Sequence, residues 1–165
     1  MAILRASTLV HMHSPVPSAS LPCTAFRVRS LSRRITQLYD DTLAPSGLRS
    51  TQFSLLAHVR RTRAEQGPSV TELADRLRMD RTTLTRNLRP LLAAGLVSLQ
   101  SGADARRKAV VITPAGEAAF CEARELWKHA QQRVRTLGGA STIAQLERLI
   151  DSLLPRFEAS EVPPP

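Results

Sequence analysis

Apolar residues spaced three and four apart run through most of the chain, interrupted once by a short alternating stretch. This pattern predicts a mainly α protein with a small β-wing. The first stripe, Val28, Leu31, Ile35, Leu38 and Tyr39, predicts a helix over residues 24–43, ended by Ala44-Pro45-Ser46-Gly47. At 1.5 Å per residue it would be a rod of roughly 30 Å. A second helix, about 51–61, buries Phe53, Leu56 and Val59 and stops before Gly67-Pro68. Val70, Leu73, Ala74 and Leu77 mark a short third helix, with Ser69 and Glu72 as its capping box. Arg78-Met79 form a turn, and Asp80 caps a fourth helix that Gly95 ends. Residues 96–100 and 108–112 read as paired strands around a loop at 101–105. Thr113-Pro114 then opens a helix to about Leu137, with Ala115, Ala119, Leu126, Trp127, Ala130, Val134 and Leu137 on one broad face. Gly138-Gly139 stops it. Thr142 and Gln145 read as a capping box for a last helix that Pro155 ends. Its residues Ile143, Leu146, Leu149, Ile150, Leu153 and Leu154 cover an arc of roughly 140°.

The fourth helix has two unlike faces. Leu84, Leu88, Leu91 and Leu92 fall on one side. Thr82, Thr83, Arg86 and Arg89 fall on the other, with Arg81 and Thr85 at the edges and no acidic residue after Asp80. Leucines behind and Arg, Thr and Asn in front suit the major groove of double-stranded DNA, where Arg pairs with guanine and phosphate. The strand loop adds a second basic element, because Arg106, Arg107 and Lys108 stand together at its far side. A basic-tipped hairpin directly after such a helix is a wing whose tip can enter a neighbouring minor groove. Pro90 lies inside the fourth helix and removes the bond to the Arg86 carbonyl, at about 3 kcal/mol in a regular helix. A kink or a tighter last turn is expected there, which would concentrate base reading on Arg81 to Arg86.

Charge sharpens this picture. The 165 residues carry 23 basic and 14 acidic side chains, a net charge of +9 that favours a polyanionic partner. Residues 24–68 hold eight basic and three acidic residues, and 69–113 hold eight and four. Residues 114–165 hold six and seven, so the excess travels with the helix pair and wing, and the C-terminal third serves another purpose. The terminal helices, 24–43 and 114–156, offer more apolar surface than a winged-helix unit over 51–113 can cover. A second copy would cover it, with Val28, Leu31, Leu146, Leu149, Ile150 and Leu153 at the homodimer interface. Two copies would also set their reading helices for successive turns of DNA, about 34 Å apart, on a near-palindromic site.

Other chemistry is sparse. Two cysteines, Cys23 and Cys121, match no zinc pattern and are too few for a disulfide scaffold. Residues 1–22 read as a disordered tail and 159–165 as a loose one, leaving one domain over 23–158. His11-x-His13 in the first tail could bind metal, but no metal site and no cofactor are expected. No apolar run approaches the ~20 residues of a membrane span, so no membrane partner is expected. Leu21-Pro22-Cys23 lacks the continuous apolar stretch of a signal peptide, which predicts a cytoplasmic protein. Acid pairs, nucleophile constellations and glycine-rich phosphate loops are missing from the sequence, so an enzyme is not expected, and His58 and His129 read as structural. The alternative to a sequence-specific regulator is a winged-helix protein-interaction module with weak DNA binding, for which Pro90, Asp75 and Asp104 leave room.

Taken in order, these stretches resemble the MarR family of bacterial transcriptional regulators. The resemblance rests on Leu38-Tyr39, Leu43-Ala44-Pro45-x-Gly47-Leu48, Thr51-Gln52-Phe53, Leu73-Ala74 and Thr82-Thr83-Leu84-Thr85-Arg86. Gly95-Leu96-Val97, Asp104-x-Arg106-Arg107 and Ile112-Thr113-Pro114-x-Gly116 complete it. It implies a homodimer that represses a nearby promoter and releases DNA on binding a small aromatic ligand or on oxidation. It also implies that Arg106 enters the minor groove, that Asp104 holds the wing, and that a ligand pocket is lined by Tyr39, Phe53, His58 or Trp127. Family members that sense organic hydroperoxides carry their reactive cysteine where this chain has Ala25, before Phe26. Cys23 stands two positions early, and Ser50 and Phe53 replace the partner tyrosines, although Cys23 near a helix start with Arg27 after it would favour thiolate.

Overall fold

The first apolar stripe folds into helix α1, Thr24–Leu43, in the computed structural model, which describes residues 23–62, 67–101 and 108–159. Three residues of 3-10 helix follow, Ala44–Ser46, and Gly47 closes them at φ 71° with its N–H on the Ala44 carbonyl, 3.0 Å. The Ser50 N–H that opens helix α2, Ser50–Arg61, donates to Asp40 Oδ1 at 2.7 Å. The end of α1 therefore fixes where α2 begins. The Arg49 N–H donates to Gln52 Oε1 at 2.8 Å, satisfying one more group at the same helix end.

Helices α3, Val70–Leu77, and α4, Arg81–Ala93, form the expected helix-turn-helix. The capping box is present in both directions: Ser69 N–H donates to Glu72 Oε2 at 2.7 Å, and Glu72 N–H to Ser69 Oγ at 3.2 Å. Arg78 turns the chain in the left-handed region, at φ 50°. Of the two expectations for Pro90, the tighter last turn does not form: helix α4 continues as α-helix through the proline to Ala93. Pro90 is exposed, so the Arg86 carbonyl that loses its partner is left beside water rather than in the core. The helix ends instead at Gly95, φ 67°, whose N–H donates to the Leu92 carbonyl while Leu96 N–H reaches back to Leu91. This paired closure is a Schellman motif, and the left-handed residue it requires is glycine.

Strands β1, Val97–Ser101, and β2, Lys108–Ile112, pair antiparallel from Val97 opposite Ile112 to Ser101 opposite Lys108. Ala109 makes a further bridge to Ser69, and Val110 N–H donates to the Pro68 carbonyl, so the hairpin is anchored beside α3. Helix α5, Pro114–Gly138, is followed at once by α6, Ala140–Glu158. Two further corrections fall here. The last helix begins at Ala140 behind Gly139, with no side-chain cap, so Thr142 lies inside it rather than capping it. It also runs past Pro155 to Glu158, three residues beyond its expected stop, with Pro155 exposed like Pro90.

The core lies between α2, α3, α4 and the hairpin. Leu55, Leu56, Val59, Leu73, Leu84, Leu91 and Val110 are all but inaccessible to water, and Leu43 at the end of α1 joins them. The expected face of α5 holds in its middle, where Ala130 is buried and Leu126 and Trp127 pack on the core. It fails at its ends: Gly116, Phe120 and Ala123 are buried near the start while Ala115 is exposed, and Leu137 is exposed at the far end. Phe120 stacks on Phe53 with ring centres 5.1 Å apart, and Trp127 stacks on the same Phe53 at 5.8 Å. Gly116 has a separate reason for being glycine. A Cβ there would stand 2.0 Å from the Leu96 carbonyl oxygen, a backbone atom with no rotamer to escape by. Gly116→Ala is expected to lower stability by about 1–3 kcal/mol through overpacking, although alanine is the better helix former by about 1 kcal/mol. An unchanged urea midpoint would show that α5 can draw back without cost.

Outside this core the apolar surface is uncovered. Helix α6 buries no residue, and Leu149, Ile150 and Leu153 are 59%, 45% and 43% exposed. Val28 and Leu31 on α1 are equally open. Among the described residues no helix is long and apolar enough to cross a membrane.

Candidate nucleic-acid interface

Burying Leu84, Leu88 and Leu91 fixes the rotation of α4 and therefore which side chains face out. Arg81, Thr82, Thr85, Arg86 and Arg89 line one open groove of about 440 Å³ along the helix. These positions recur at helical spacing on one face. Thr83, expected with them, is half-buried instead and does not line the groove; its N–H donates to Asp80 Oδ1 at 2.8 Å. Hydrogen bonds from Thr83, its side-chain hydroxyl first and this backbone N–H second, hold the Asp80 carboxyl below its usual range, so the cap is charged at the positive end of the helix dipole.

The groove side chains are not alike in what they offer. Thr85 Oγ donates to its own helix, to the Arg81 carbonyl at 2.7 Å, which turns its hydroxyl inward. Asn87 is half-buried, with its amide 3.9 Å from Met79 Sδ. Lys108 is exposed at the first position of β2, where the wing leaves the sheet. Asp104, Arg106 and Arg107 lie outside the described residues, as do Arg63 and His11-x-His13.

Two arginines are engaged in ways the local pattern did not indicate. Arg60 pairs with Glu117 at 2.7 Å and lies over the Phe120 ring, 5.1 Å from its centre. Arg78, at the turn between α3 and α4, pairs with Glu158 at the end of α6, 2.8 Å away. One hydroxyl also joins the reading helix to α5. Thr113 Oγ donates to the Gly95 carbonyl at 2.7 Å and accepts from the Gly116 N–H at 3.1 Å. The residue was readable as a helix cap; its bond back to the end of α4 was not.

Of the residues expected around a ligand, the structure brings Phe53 and Trp127 together, in one stack. Phe53 is buried in the aromatic stack, while Tyr39, His58 and Trp127 are half-buried. His58 Nδ1 meets the Ser54 carbonyl at 2.8 Å, a bond within its own helix. Burial pushes the Tyr39 phenol up, Glu147 adds to the shift and Arg135 opposes it. A separate apolar groove of about 360 Å³ runs between α1, α5 and α6, lined by Leu31, Ile35, Leu38, Val134 and Ile143 with Arg34 as its charge. Both cysteines are exposed free thiols, Cys23 at the N-cap of α1 and Cys121 on α5. Among the described residues no group of three or more His, Cys, Asp or Glu side chains could hold a metal ion.

Comparison with known proteins adds four findings. A family model described as a helix-turn-helix domain matches residues 48–100. Comparison with curated protein sequences gives no match. The crystal structure of the transcriptional regulator MosR of M. tuberculosis in complex with DNA is 38% identical and superposes with a TM-score of 0.74, covering 85% of this chain and 99% of that one. Two solved structures share the fold at lower identity. Apo MarR from E. coli is 24% identical, with a TM-score of 0.63 over 81% of this chain and 98% of its own. The transcriptional repressor CouR bound to a 23-mer DNA duplex is 22% identical, with a TM-score of 0.71 over 80% and 92%.

Proposed function

The chain belongs to the MarR family of winged helix-turn-helix transcriptional regulators, and from that premise we propose that it is a homodimeric repressor released from a near-palindromic operator by a small aromatic ligand. That it is a DNA-binding regulator follows from the family and from α4. The observation that carries the proposal is the outward face of that helix, where Arg81, Thr82, Thr85, Arg86 and Arg89 share one groove above a buried leucine seam. Lys108 at the base of the wing, with Asp104, Arg106 and Arg107 beyond it, is proposed to contact the flanking backbone and minor groove.

The homodimer is supported by the uncovered apolar residues on both terminal helices. Val28 and Leu31 on α1 and Leu149, Ile150 and Leu153 on α6 are exposed, and Leu146 is half-buried beside them. Burying a leucine-sized side chain contributes about 1.5–3 kcal/mol, so a few of them account for a stable interface. Repression then needs no further chemistry, since a dimer on a promoter excludes other proteins from it. The ligand is proposed to enter beside the aromatic stack, toward Tyr39, His58 and Trp127, because Phe53 is already enclosed.

Arg86→Ala tests the reading face. Binding to an operator duplex at fixed salt is expected to weaken by about 1–3 kcal/mol, with base preference relaxed at one position of each half-site. If affinity and preference both stay as in the parent protein, α4 does not read DNA through this face.

A further inference from the structure

The side chains in the α4 groove differ in which base they can recognise, and this limits the operator. In the major groove, arginine pairs bidentately with guanine O6 and N7, asparagine or glutamine with adenine, a carboxylate accepts from cytosine N4, and a threonine methyl packs on the thymine C5-methyl group. The helix has one amide, Asn87, and it is half-buried toward Met79 Sδ rather than in the groove. Its one carboxylate is the cap Asp80, which accepts the Thr83 N–H. Adenine thus finds no bidentate amide on this face, and cytosine finds no carboxylate.

Thr85 narrows the chemistry further. Its hydroxyl is held by the Arg81 carbonyl at 2.7 Å. With that proton committed, Thr85 presents to a base its methyl group and an oxygen that can only accept. Arg86 stands beside it near the middle of the face, while Arg81 and Arg89 stand at the two ends of the groove. From Arg81 to Arg89 the helix rises about 12 Å, which spans three to four base steps of 3.4 Å.

We infer that each operator half-site is read over about four base pairs as a guanine facing Arg86 beside a thymine methyl facing Thr85, with no bidentate adenine contact from this helix. The inference rests on the proposed reading of DNA through α4 and names the bases that reading selects.

The test begins with the full-length protein selecting from randomised double-stranded DNA, followed by single-atom changes in the selected duplex. Half-sites are expected to contain guanine and thymine within four base pairs. Replacing that guanine with 7-deazaguanine, which keeps base pairing but lacks N7, is expected to weaken binding about tenfold. The same replacement is expected to change binding by less than about twofold in Arg86→Ala, whose contact is already gone. Replacing the thymine with deoxyuridine is expected to weaken the parent and Thr85→Val by a few-fold and to leave Thr85→Ser unchanged, because only serine lacks the methyl. Selected half-sites without guanine, or full affinity with 7-deazaguanine, would overturn the inference while leaving sequence-specific reading intact. A thymine-to-uridine effect of equal size in Thr85→Ser would overturn the methyl contact. Enrichment of no sequence at all would overturn the reading of DNA through α4 and this inference with it.

Discussion

The double replacement Ile150→Asp and Leu153→Asp is expected to leave a helical monomer that binds a two-half-site duplex at least about a hundredfold more weakly. The magnitude follows from valency. When two reading helices are joined, the second contact forms at a high effective concentration, and avidity exceeds single-site affinity by about 10²–10⁴. Both residues lie on a helix that buries none of its side chains within one chain, so the substitution leaves the intramolecular core untouched. A carboxylate in the proposed interface would instead be desolvated when the two copies meet. Sedimentation reads the mass, and a shift assay on one and two half-sites reads the valency. The monomer is expected to bind both duplexes alike. A species that remains dimeric, or a monomer that keeps full affinity for the double site, would sink the proposed assembly.

Leu84→Ala carries the second large effect. Leu84 is fully buried on the inner side of α4, the same helix whose outer side lines the groove. Removing its isobutyl group takes away transfer energy and leaves a cavity that α2, α3 and the hairpin can close only in part. The expected loss is about 2–5 kcal/mol, a shift of roughly 10 °C in the thermal midpoint for a chain of this size. Leu92→Ala, at a half-buried position of the same helix, is the comparison and is expected to cost less. Equal midpoints for the two variants would mean that α4 is not seated by the leucine seam.

Local patterns carried far in this chain because its elements end on local chemistry. Ser69 with Glu72, Asp80, Thr113 with Pro114, and Gly95 each mark a boundary through atoms within a few residues, and each is where the pattern placed it. The two internal prolines misled for a common reason. A proline removes one hydrogen bond but need not end a helix when the carbonyl it abandons can be hydrated, and both Pro90 and Pro155 are exposed. Thr142 and Gln145 had the spacing of a capping box, but α6 had already begun at Ala140 behind Gly139. On α5 the alanines permitted more than one apolar stripe. The helix packs against α2 near its start and α1 farther along, so its buried face was decided by partners distant in sequence. The same holds for Arg60 with Glu117 and Arg78 with Glu158, pairs separated by dozens of residues. Composition and period put Arg81, Thr82, Thr85, Arg86 and Arg89 on the outward side of α4, and in the structure they share one groove that Thr83 does not line. The inward turn of Thr85 and Asn87 needed coordinates.

Thr113 has a mechanical consequence. Its hydroxyl fastens the last carbonyls of α4 to the first turn of α5, making a pivot between two arms of unequal length. The arm toward the proposed subunit contact is the 25 residues of α5, roughly 37 Å, and the arm toward the proposed base contacts is the 13 residues of α4, roughly 20 Å. A tilt of only about 5° about that point, transmitted rigidly, carries Arg81 by roughly 1.7 Å, half of a 3.4 Å base step. Hydrogen bonds to bases do not survive a displacement of that size. On the proposed function, a small molecule that shifts the far end of α5 by about 3 Å would have enough leverage to take the protein off its operator without touching the groove.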